Sequence, residues 1–388
     1  MPSHKSVLPL RRRLICCAPA LGTGMSAQTS QKTANTDGHH PVLVTGGTGF
    51  LGEHLLRTLR QSGQSVRALV RKPVPLLKDL GVSQYSGDVL PPAQADGVAP
   101  RPVGSDDEAV SDELVAALDG CRQVYHLAGL VSRDPNRAQD MMRLHVEGTR
   151  HLLHAAKRAG VRRVVLASTS GTIAISREPS PIPDETWPYP VEQCGNWPYY
   201  LSKIYQEKMA LDLGARLGLE IVCVNPSLLL GPGDRRGSST EDVRKFLCGE
   251  IAAIPSGGLS FVDVRDAASA CVAAMHKGRS GARYLLGGPN WTFADFLGRL
   301  GRIAKVEGPW LRVPAGWNSW LNRITRAVDH VYQHRGETSP VDRVSFEMGQ
   351  VFWYCDSSLA HRELGFSSRD PAETLDETIR DVRSTLRY

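Results

Sequence analysis

Two residues with complementary proton chemistry, Tyr199 and Lys203, stand four positions apart in a segment patterned as a helix over 199–216. Side chains four apart on a helix share one face. A free tyrosine has a pKa near 10, so a proton donor working near neutrality needs a pKa about 3 units lower, which is roughly 4 kcal/mol of phenolate stabilisation. An adjacent ammonium in a water-poor cleft could supply much of that energy. The spacing therefore predicts an acid–base pair, although the same pair is common on solvated helix surfaces.

A glycine-rich turn earlier in the chain predicts which kind of cofactor binds beside that pair. TGGTGFLG at 45–52 follows the apolar run 42–44 and leads into a segment patterned as a helix over 53–59. This order grips a dinucleotide, because the glycines allow a tight turn, close approach to a pyrophosphate, and close packing of helix on strand. The helix N-terminus adds unpaired N–H groups and partial positive charge. The cofactor-binding residues predicted here are Gly46, Thr48, Gly49, Phe50, Leu51 and Gly52. A purely structural turn is the alternative.

The end of the second predicted strand, 65–70, indicates which dinucleotide binds. Arg71 and Lys72 follow it, where NAD-binding proteins commonly carry an Asp or Glu for the ribose 2′-hydroxyl. A guanidinium suits a 2′-phosphate, so NADP is the expected cofactor, with NAD as the alternative. Two solvated loop cations would explain the same residues. At the next strand end, 85–89, Asp88 beside Val89 could reach the adenine.

Strands and helices alternate from residue 41 onwards. After a Pro-, Ala-, Gly- and Asp-rich insertion at 91–111, the patterns predict a helix over 112–118, a strand over 123–129, a helix over 140–158 and a buried strand over 163–167. Alternation predicts an α/β fold, a Rossmann-type doubly wound parallel sheet with a smaller α/β C-terminal substrate lobe. The predicted division is an extension over 1–40, a Rossmann domain over 41–230 to which 259–288 returns, and the lobe over 231–388.

Composition excludes several classes of protein. With 388 residues and 41% hydrophobic content, the chain can bury a large core. No apolar run reaches the ~18 to 20 residues that span a bilayer, so no membrane span is expected. The eight cysteines are scattered without a CxxC pair, which favours reduced thiols over a zinc site or a disulfide scaffold. Much of the net charge of +6 lies in residues 1–40, so about +2 remains for the rest and nucleic acid is not an expected partner.

Residues 1–40 lack apolar periodicity and are predicted to be disordered and outside the fold. Their basic start and short apolar run at 14–18 resemble a signal peptide, but Pro19 interrupts the run. Scarce acids with abundant Ser and Thr would also suit a transit peptide, and a start at Met25 is the simpler alternative. The expected location is the cytoplasm, with organelle targeting through 1–40 as the alternative.

Further motifs carry a family resemblance that runs from about Pro41 to the C-terminus. They are HLAG at 126–129, VEGT at 146–149, LASTSGT at 166–172, YYLSK at 199–203 and NPSLLLGPGD at 225–234. With the glycine turn, they make the chain similar to the extended short-chain dehydrogenase/reductases of the NAD-dependent epimerase/dehydratase family. FVDVRDAA at 261–268, YLLGG at 284–288 and DSSLAHRELGF at 356–366 resemble the dihydroflavonol reductase-like branch, which includes the hopanoid-associated sugar epimerase-like proteins. These motifs are specific for fold and say little about substrate.

The resemblance implies roles for the residues that match. Tyr199 would give or take the proton at the substrate oxygen, and Lys203 would lower its pKa while bonding the nicotinamide ribose. Thr169 matches the hydroxyl that bonds the substrate oxygen, with Ser168 and Ser170 as alternatives in a shifted register. Ser168, Tyr199 and Lys203 are therefore also expected to contact the cofactor.

Four further positions complete the cofactor site that the resemblance implies. Ala128 and Gly129 would line the cofactor path at a strand end where small residues leave room. Pro226 and Ser227 would lie near the nicotinamide.

One departure from the family pattern is His145, which stands where relatives usually have an Asn that can support a proton relay to the lysine. Here that relay is absent or runs through imidazole. His151 and His154 follow at a spacing that suggests a metal, but no third ligand stands at a sensible spacing, so no metal is expected. Leu359 replaces a common lysine at a position expected on the surface.

Substrate recognition is expected from the variable segments. The insert 172–198 carries Trp187, Tyr189 and Trp197, which could wall an apolar pocket or pack the loop. The pair Arg235-Arg236 could clamp a diphosphate, although solvation is the simpler interpretation. A tryptophan stripe (Trp310, Trp317, Trp320) leads into a helix predicted over 320–332 and could be core or could flank a hydrophobic ligand.

Together these features predict an NAD(P)-dependent oxidoreductase that moves a hydride between nicotinamide and a carbonyl/alcohol substrate, with Tyr199 as general acid/base. An NAD-dependent sugar-nucleotide epimerase/dehydratase is the alternative, favoured by Arg235-Arg236 and disfavoured by Arg71. A non-catalytic dinucleotide-sensing or scaffold protein is a third, but such relatives usually lose the Tyr and Lys pair. The expected partner is a small-molecule substrate. No residue indicates the oligomeric state, while relatives usually pair helices into a homodimer.

Overall fold

A seven-stranded parallel sheet runs through the computed structural model, which describes residues 40–90, 110–313 and 343–386. Its strands are β1 (Val42–Thr45), β2 (Val66–Val70), β3 (Ser83–Ser86), β4 (Gln123–His126), β5 (Arg163–Ala167), β6 (Glu220–Pro226) and β10 (Arg283–Leu286). The order across the sheet is β10-β6-β5-β4-β1-β2-β3. The chain runs outward from β1 through β2 to β3 and then crosses back to β4 on the other side of β1. The carboxyl ends of β1 and β4 therefore flank the crevice in which such sheets bind ligands.

Helices cover both faces of this sheet because alternate strand residues point to opposite sides. On one face, Val42 and Val44 pack in a cluster with α1 (Phe50–Gln61) and α8 (Val264–Lys277). On the other face, Leu43 packs in a cluster with the helices α3 (Asp112–Leu118), α5 (Gly148–Arg158) and α6 (Pro198–Leu217). The predicted doubly wound fold is confirmed.

A second, smaller sheet centres on β9 (Gly258–Asp263). It pairs in parallel with β7 (Leu228–Leu230) and β13 (Phe352–Trp353) and antiparallel with β11 (Asn290–Thr292). The pair β8 (Ala253–Ile254) and β12 (Leu311–Arg312) stands apart from it. The remaining helices are α2 (Pro75–Asp79), α4 (Ala138–Met142), α7 (Glu241–Leu247), α9 (Phe293–Ala304), α10 (Arg343–Met348), α11 (Ser358–Leu364) and α12 (Pro371–Leu386). β7 directly follows β6, so the small sheet meets the carboxyl edge of the large one.

Several local predictions need correction. The strand predicted over 123–129 ends at His126, and the strand end predicted at 85–89 ends at Ser86. The helix predicted over 140–158 is α4 and α5 joined by a π-helical turn, Arg143–Glu147, which the apolar spacing could not distinguish from one helix. The predicted extension 1–40 lies outside the described residues except for His40, as do most of the insertion 91–111 and the whole helix 320–332. The domain boundary at residue 230 stays a prediction.

Candidate active site

The glycine turn after β1 is shaped by close backbone contacts. Gly46 has φ +71°, and a Cβ there would lie 2.5 Å from the Leu127 carbonyl carbon. A Cβ at Gly52 would lie 2.2 Å from the Gly46 carbonyl oxygen, so the first turn of α1 sits directly on the loop. Gly49 caps α1 without a side chain, which leaves the first amides of the helix open to an anion. The residues fit a dinucleotide pyrophosphate.

A cavity of about 1130 Å³ joins this turn to the predicted acid–base pair. One wall carries Gly46 and the start of α1, and another carries Thr169, Tyr199 and Lys203. Pro226 and Ser227, at the end of β6, also line it, as do Ser168 and Gly129.

Aromatic rings line another part of the cavity wall. Tyr200 meets Tyr199 edge to face with ring centroids 5.0 Å apart, and its ring lies 4.8 Å from that of Trp353 at a tilt of 34°. Trp197 lies 5.5 Å from Trp353. At the rim, Arg133 forms a two-pronged ion pair with Asp242 at 3.1 and 2.7 Å. The cavity thus has a polar end at the glycine turn and an aromatic end beyond Tyr199.

The acid–base pair is held by α6, where Tyr199 and Lys203 share one face. Tyr199 is half-buried and lines the cavity together with Thr169, whose side chain acts to lower the tyrosine pKa. Thr169 itself caps the short turn Ser170–Thr172 after β5, accepting a bond from the Gly171 amide. Lys203 is 4% exposed, and its Nζ donates to the Ala167 carbonyl at 2.7 Å and to Gln206 Oε1.

Burial controls the acidity of both groups. It raises the pKa of Tyr199 to about 12, against the Thr169 side chain, which acts to lower the pKa. It also lowers the pKa of Lys203 to about 8, while the Glu207 carboxylate raises the lysine pKa. Burial thus outweighs the effect of Thr169 on the tyrosine pKa, while the lysine ammonium bonds Ala167 and Gln206. The lowering of the tyrosine pKa by Lys203 stays a prediction.

Comparison with known proteins identifies the chain. The model of the NAD dependent epimerase/dehydratase family matches residues 42–287. The chain belongs to this family. It is 31% identical over 345 residues to a putative dihydroflavonol 4-reductase of Synechocystis, covering 87% of this chain and 92% of that protein. Cinnamoyl-CoA reductase 1 of Oryza sativa is 33% identical, with 67% of this chain and 75% of that protein covered.

Solved structures share this fold. A nucleoside-diphosphate-sugar epimerase from Pseudomonas aeruginosa superposes with a TM-score of 0.67 at 23% identity, covering 89% of this chain and 99% of that one. The chain matches the epimerase/dehydratase family, and its relatives include reductases. It is therefore an NAD(P)-dependent oxidoreductase of the extended short-chain type, as predicted.

A buried polar network, which was not predicted from the sequence, links Lys203 to the glycine turn. Gln206 Nε2 donates to Thr149 Oγ1 at 2.7 Å, and Thr149 lies 2.8 Å from Nε2 of His126. The other ring nitrogen of His126 lies 2.7 Å from the hydroxyl of Thr45, the last residue of β1. Gln206 is three residues beyond Lys203, so helical spacing alone could have found it.

His145, which replaces the usual family Asn, does not contact Lys203 in this structure. Its Nε2 accepts from the Leu130 amide at 3.0 Å, so the neutral ring carries its proton on Nδ1 and donates to Ser202 Oγ at 2.8 Å. Ser202 in turn donates to the Tyr199 carbonyl at 2.7 Å. Burial, followed by the charge of Lys203, holds the pKa of His145 well below its ordinary value. The imidazole is a structural tie between α6 and the loop after β4.

Some predicted cofactor residues lie away from the cavity wall. Arg71 and Lys72 are exposed at the end of β2, as a ribose-phosphate contact requires. Asp88 accepts from the Leu90 amide at 3.1 Å. Val89 is buried in the core cluster beneath this strand end, and its carbonyl accepts from His151 Nδ1. Its contact with the cofactor stays a prediction.

Some of the remaining candidate residues lie at the cavity, and others lie in the protein core. Ala128 donates its amide to Thr45 Oγ1 at 3.3 Å, beside the glycine turn. Trp197 lines the cavity, whereas Tyr189 packs under the Arg283 guanidinium at 4.8 Å. Arg235 and Arg236 are exposed at the cavity rim, and Arg235 lies 3.4 Å from Glu53.

Within 40–90, 110–313 and 343–386, no three His, Cys, Asp or Glu residues are grouped to hold a metal ion. His151 has both ring nitrogens engaged, one with Val89 and one accepting from the Ser111 amide. None of the helices in these ranges has the length and apolar character to cross a bilayer.

Proposed function

We propose that this oxidoreductase is an NADP-dependent reductase or dehydrogenase, with Tyr199 as the general acid at a substrate carbonyl. One observation carries the proposal. Tyr199 and Lys203 line the same cavity as the glycine turn, so the proposed proton donor and the proposed phosphate-binding turn share one cavity.

The chain's own groups would handle the proton. When bound, the nicotinamide supplies or accepts the hydride. Tyr199 gives its hydroxyl proton to the substrate oxygen in reduction, and the Thr169 hydroxyl holds that oxygen and the phenol in line. Lys203 commits two of its three N–H groups to Ala167 and Gln206. The third can face the ribose, and the positive charge stabilises the phenolate left after transfer.

The preference for NADP rests on the end of β2. Arg71 and Lys72 are exposed there with no carboxylate in the neighbouring 71–78 segment, so a 2′-phosphate gains two cationic partners. An NAD ribose at the same place would lack the acidic acceptor that it usually has.

The substrate is proposed to be a predominantly apolar carbonyl compound. The cavity wall beyond Tyr199 is built from Tyr200, Trp197 and Trp353, which suit flat apolar groups better than the many hydroxyls of a sugar. Epimerisation of a sugar nucleotide is the second candidate, because Arg235 and Arg236 stand at the rim where a diphosphate could bind.

The first test of the proposal is to identify the dinucleotide that the protein binds. Protein expressed from Met25 is denatured, any released dinucleotide is identified, and the apo protein is titrated with NADPH and NADH. Exchangeable binding that favours NADPH supports the reductase, and a panel of apolar ketones and aldehydes then follows. Stoichiometric NAD that survives purification would overturn the NADP assignment and favour the epimerase.

The cytoplasm and a homodimer are proposed as setting and assembly. The cysteines among the described residues are free thiols, as a reducing compartment allows, and Tyr205 exposes 43% of its surface on α6. Fractionation of cells that express the tagged full chain tests the first proposal, and sedimentation equilibrium tests the second. Organelle recovery or a strict monomer would contradict them.

A further inference from the structure

Glu207, one helical turn beyond Lys203 in α6, is fully buried behind the acid–base pair. Its Oε2 accepts hydrogen bonds from the Ser168 hydroxyl, from Thr172 Oγ1 at 3.0 Å and from Asn225 Nδ2 at 2.7 Å. Ser168 and Thr172 bracket the turn after β5, and Asn225 lies near the end of β6. One carboxylate oxygen therefore ties α6 to both strand ends that border the cavity.

The second oxygen of this carboxylate faces a cation. Arg283 Nη1 on β10 lies 3.6 Å from Glu207 Oε1. The guanidinium is fixed in turn, because it lies over the Tyr189 ring and donates to the carbonyls of Glu185 and Trp187. Arg283 is thus held in place, which keeps the buried charge compensated.

The turn that Glu207 holds carries Thr169 at its start. Thr169 lines the cavity with Tyr199, and its side chain acts to lower the tyrosine pKa. Its carbonyl lies 2.9 Å from Thr172 Oγ1, whose one proton is shared between this carbonyl and Glu207 Oε2. If the turn loosens, the Thr169 hydroxyl leaves the position from which it acts on the phenol. A displacement of about 1 Å at a reacting group can cost about a hundredfold in rate.

We propose that Glu207 is a positioning residue of this active site, whose carboxylate pins the 168–172 turn beneath Tyr199 and sets the charge that Lys203 faces. The inference rests on the proposed carbonyl reduction and deepens it. Glu207 touches neither substrate nor cofactor in this scheme, so its effect passes through Thr169 and Lys203.

Few ionisable groups face the positive charge of Lys203. Facing it are Tyr199 and Glu207 from its own helix, His126 from β4, His145 from the π-helical turn and Cys223 from β6. Burial holds the pKa of both histidines far below its ordinary value and raises that of the thiol, so near neutral pH none of these three carries charge. Of these groups, Glu207 is the one that supplies a negative charge, and it opposes the lowering of the lysine pKa by burial.

The test compares Glu207→Gln with a matched control, Asp263→Asn. Asp263 is also a buried carboxylate, paired with Arg265 at 2.7 Å and bonded to Thr374, but it does not line the cavity. Both changes remove a buried charge and should lower stability. We measure kcat for carbonyl reduction with NADPH across pH, NADPH affinity, and thermal unfolding for each variant.

The expected result separates the two variants. Glu207→Gln should lower kcat about tenfold or more and move the alkaline limb of the rate profile down by about one pH unit, with NADPH affinity within about twofold of wild type. Asp263→Asn should keep the wild-type limb and rate. If Glu207→Gln has the same kcat and the same alkaline limb as Asp263→Asn, the proposal is overturned.

A second readout needs no turnover. In protein with 13C-labelled lysines, assigned with Lys203→Arg, the Lys203 resonance should titrate at lower pH in Glu207→Gln than in wild type. Equal midpoints would overturn the charge role even if no carbonyl substrate is found, whereas a wild type without turnover would count against the proposed function alone. If Glu207→Gln does not fold, Thr172→Val keeps the charge and removes one tie, so kcat should fall a few-fold with an unmoved limb; unchanged kcat would overturn the positioning role.

Discussion

Replacing Gly52 with alanine should damage the dinucleotide site more than any stability effect of alanine in a helix would suggest. The new Cβ would lie 2.2 Å from the Gly46 carbonyl oxygen and 2.8 Å from the Gly47 Cα. Carbon contacts settle at about 3.5 to 4.0 Å, so the glycine turn and α1 must separate by roughly 1 Å or more. Both neighbours are backbone and cannot swing aside.

The size of the effect follows from that displacement. Overpacking of this kind costs about 1 to 3 kcal/mol of unfolding free energy. The same shift moves the amides that are expected to bind the pyrophosphate, so NADPH affinity should fall about tenfold or more, which is about 1.4 kcal/mol. Urea unfolding gives the first quantity, and titration with NADPH gives the second.

Gly298→Ala is the matched control. Gly298 lies exposed within α9, and a Cβ there would meet no atom within 4 Å. The same chemical change should therefore stabilise the protein by roughly 0.5 to 1 kcal/mol and leave NADPH binding unchanged. Wild-type affinity and stability in Gly52→Ala would refute the assignment of the turn as the phosphate cradle.

Three further predictions concern charge. Because burial lowers the pKa of Lys203 to about 8 and reduction needs its ammonium, kcat/KM should fall as pH rises above about 8; a flat profile up to pH 10 would contradict this. Burial also lowers the pKa of His126 from 6.5 to about 3, so the unfolded chain binds more protons in that window, and this residue should contribute about 2 kcal/mol to the drop in the free energy of unfolding from pH 7 to pH 5. A drop of the same size in His126→Gln would show that other groups cause it. Finally, Arg71→Ala should weaken NADPH binding about tenfold or more and spare NADH, as titration can show; equal losses for both would argue against a 2′-phosphate contact.

Local sequence patterns predicted much of the fold. The strand over 163–167 and the helix over 112–118 were predicted with the bounds that the structure has, because buried strands and capped helices have strong local signals. The glycine spacing predicted the turn between β1 and α1 for the reason that the structure gives, namely backbone contacts that leave no room for a Cβ. The Tyr199 and Lys203 spacing predicted two side chains on one helix face.

Interactions between distant segments could not be predicted in this way. Glu207 acquires its partners Ser168, Asn225 and Arg283 only when three strands meet α6, and no local pattern brings them together. The acidity of Tyr199 likewise depends on burial and on where the lysine ammonium points, which spacing along a helix does not fix. The cavity wall joins Tyr200 to Trp353, residues separated by most of the C-terminal half of the chain.

The most direct test of the account follows hydride and proton in a single turnover. Wild type and Tyr199→Phe are each mixed with NADPH and an apolar ketone found by screening, and the absorbance of the reduced nicotinamide is followed with product analysis. The account predicts stoichiometric NADPH oxidation and alcohol formation by wild type, and a rate at least about a hundredfold lower in Tyr199→Phe with NADPH affinity unchanged. Oxidation at the wild-type rate by Tyr199→Phe would contradict the role of Tyr199 as the proton donor.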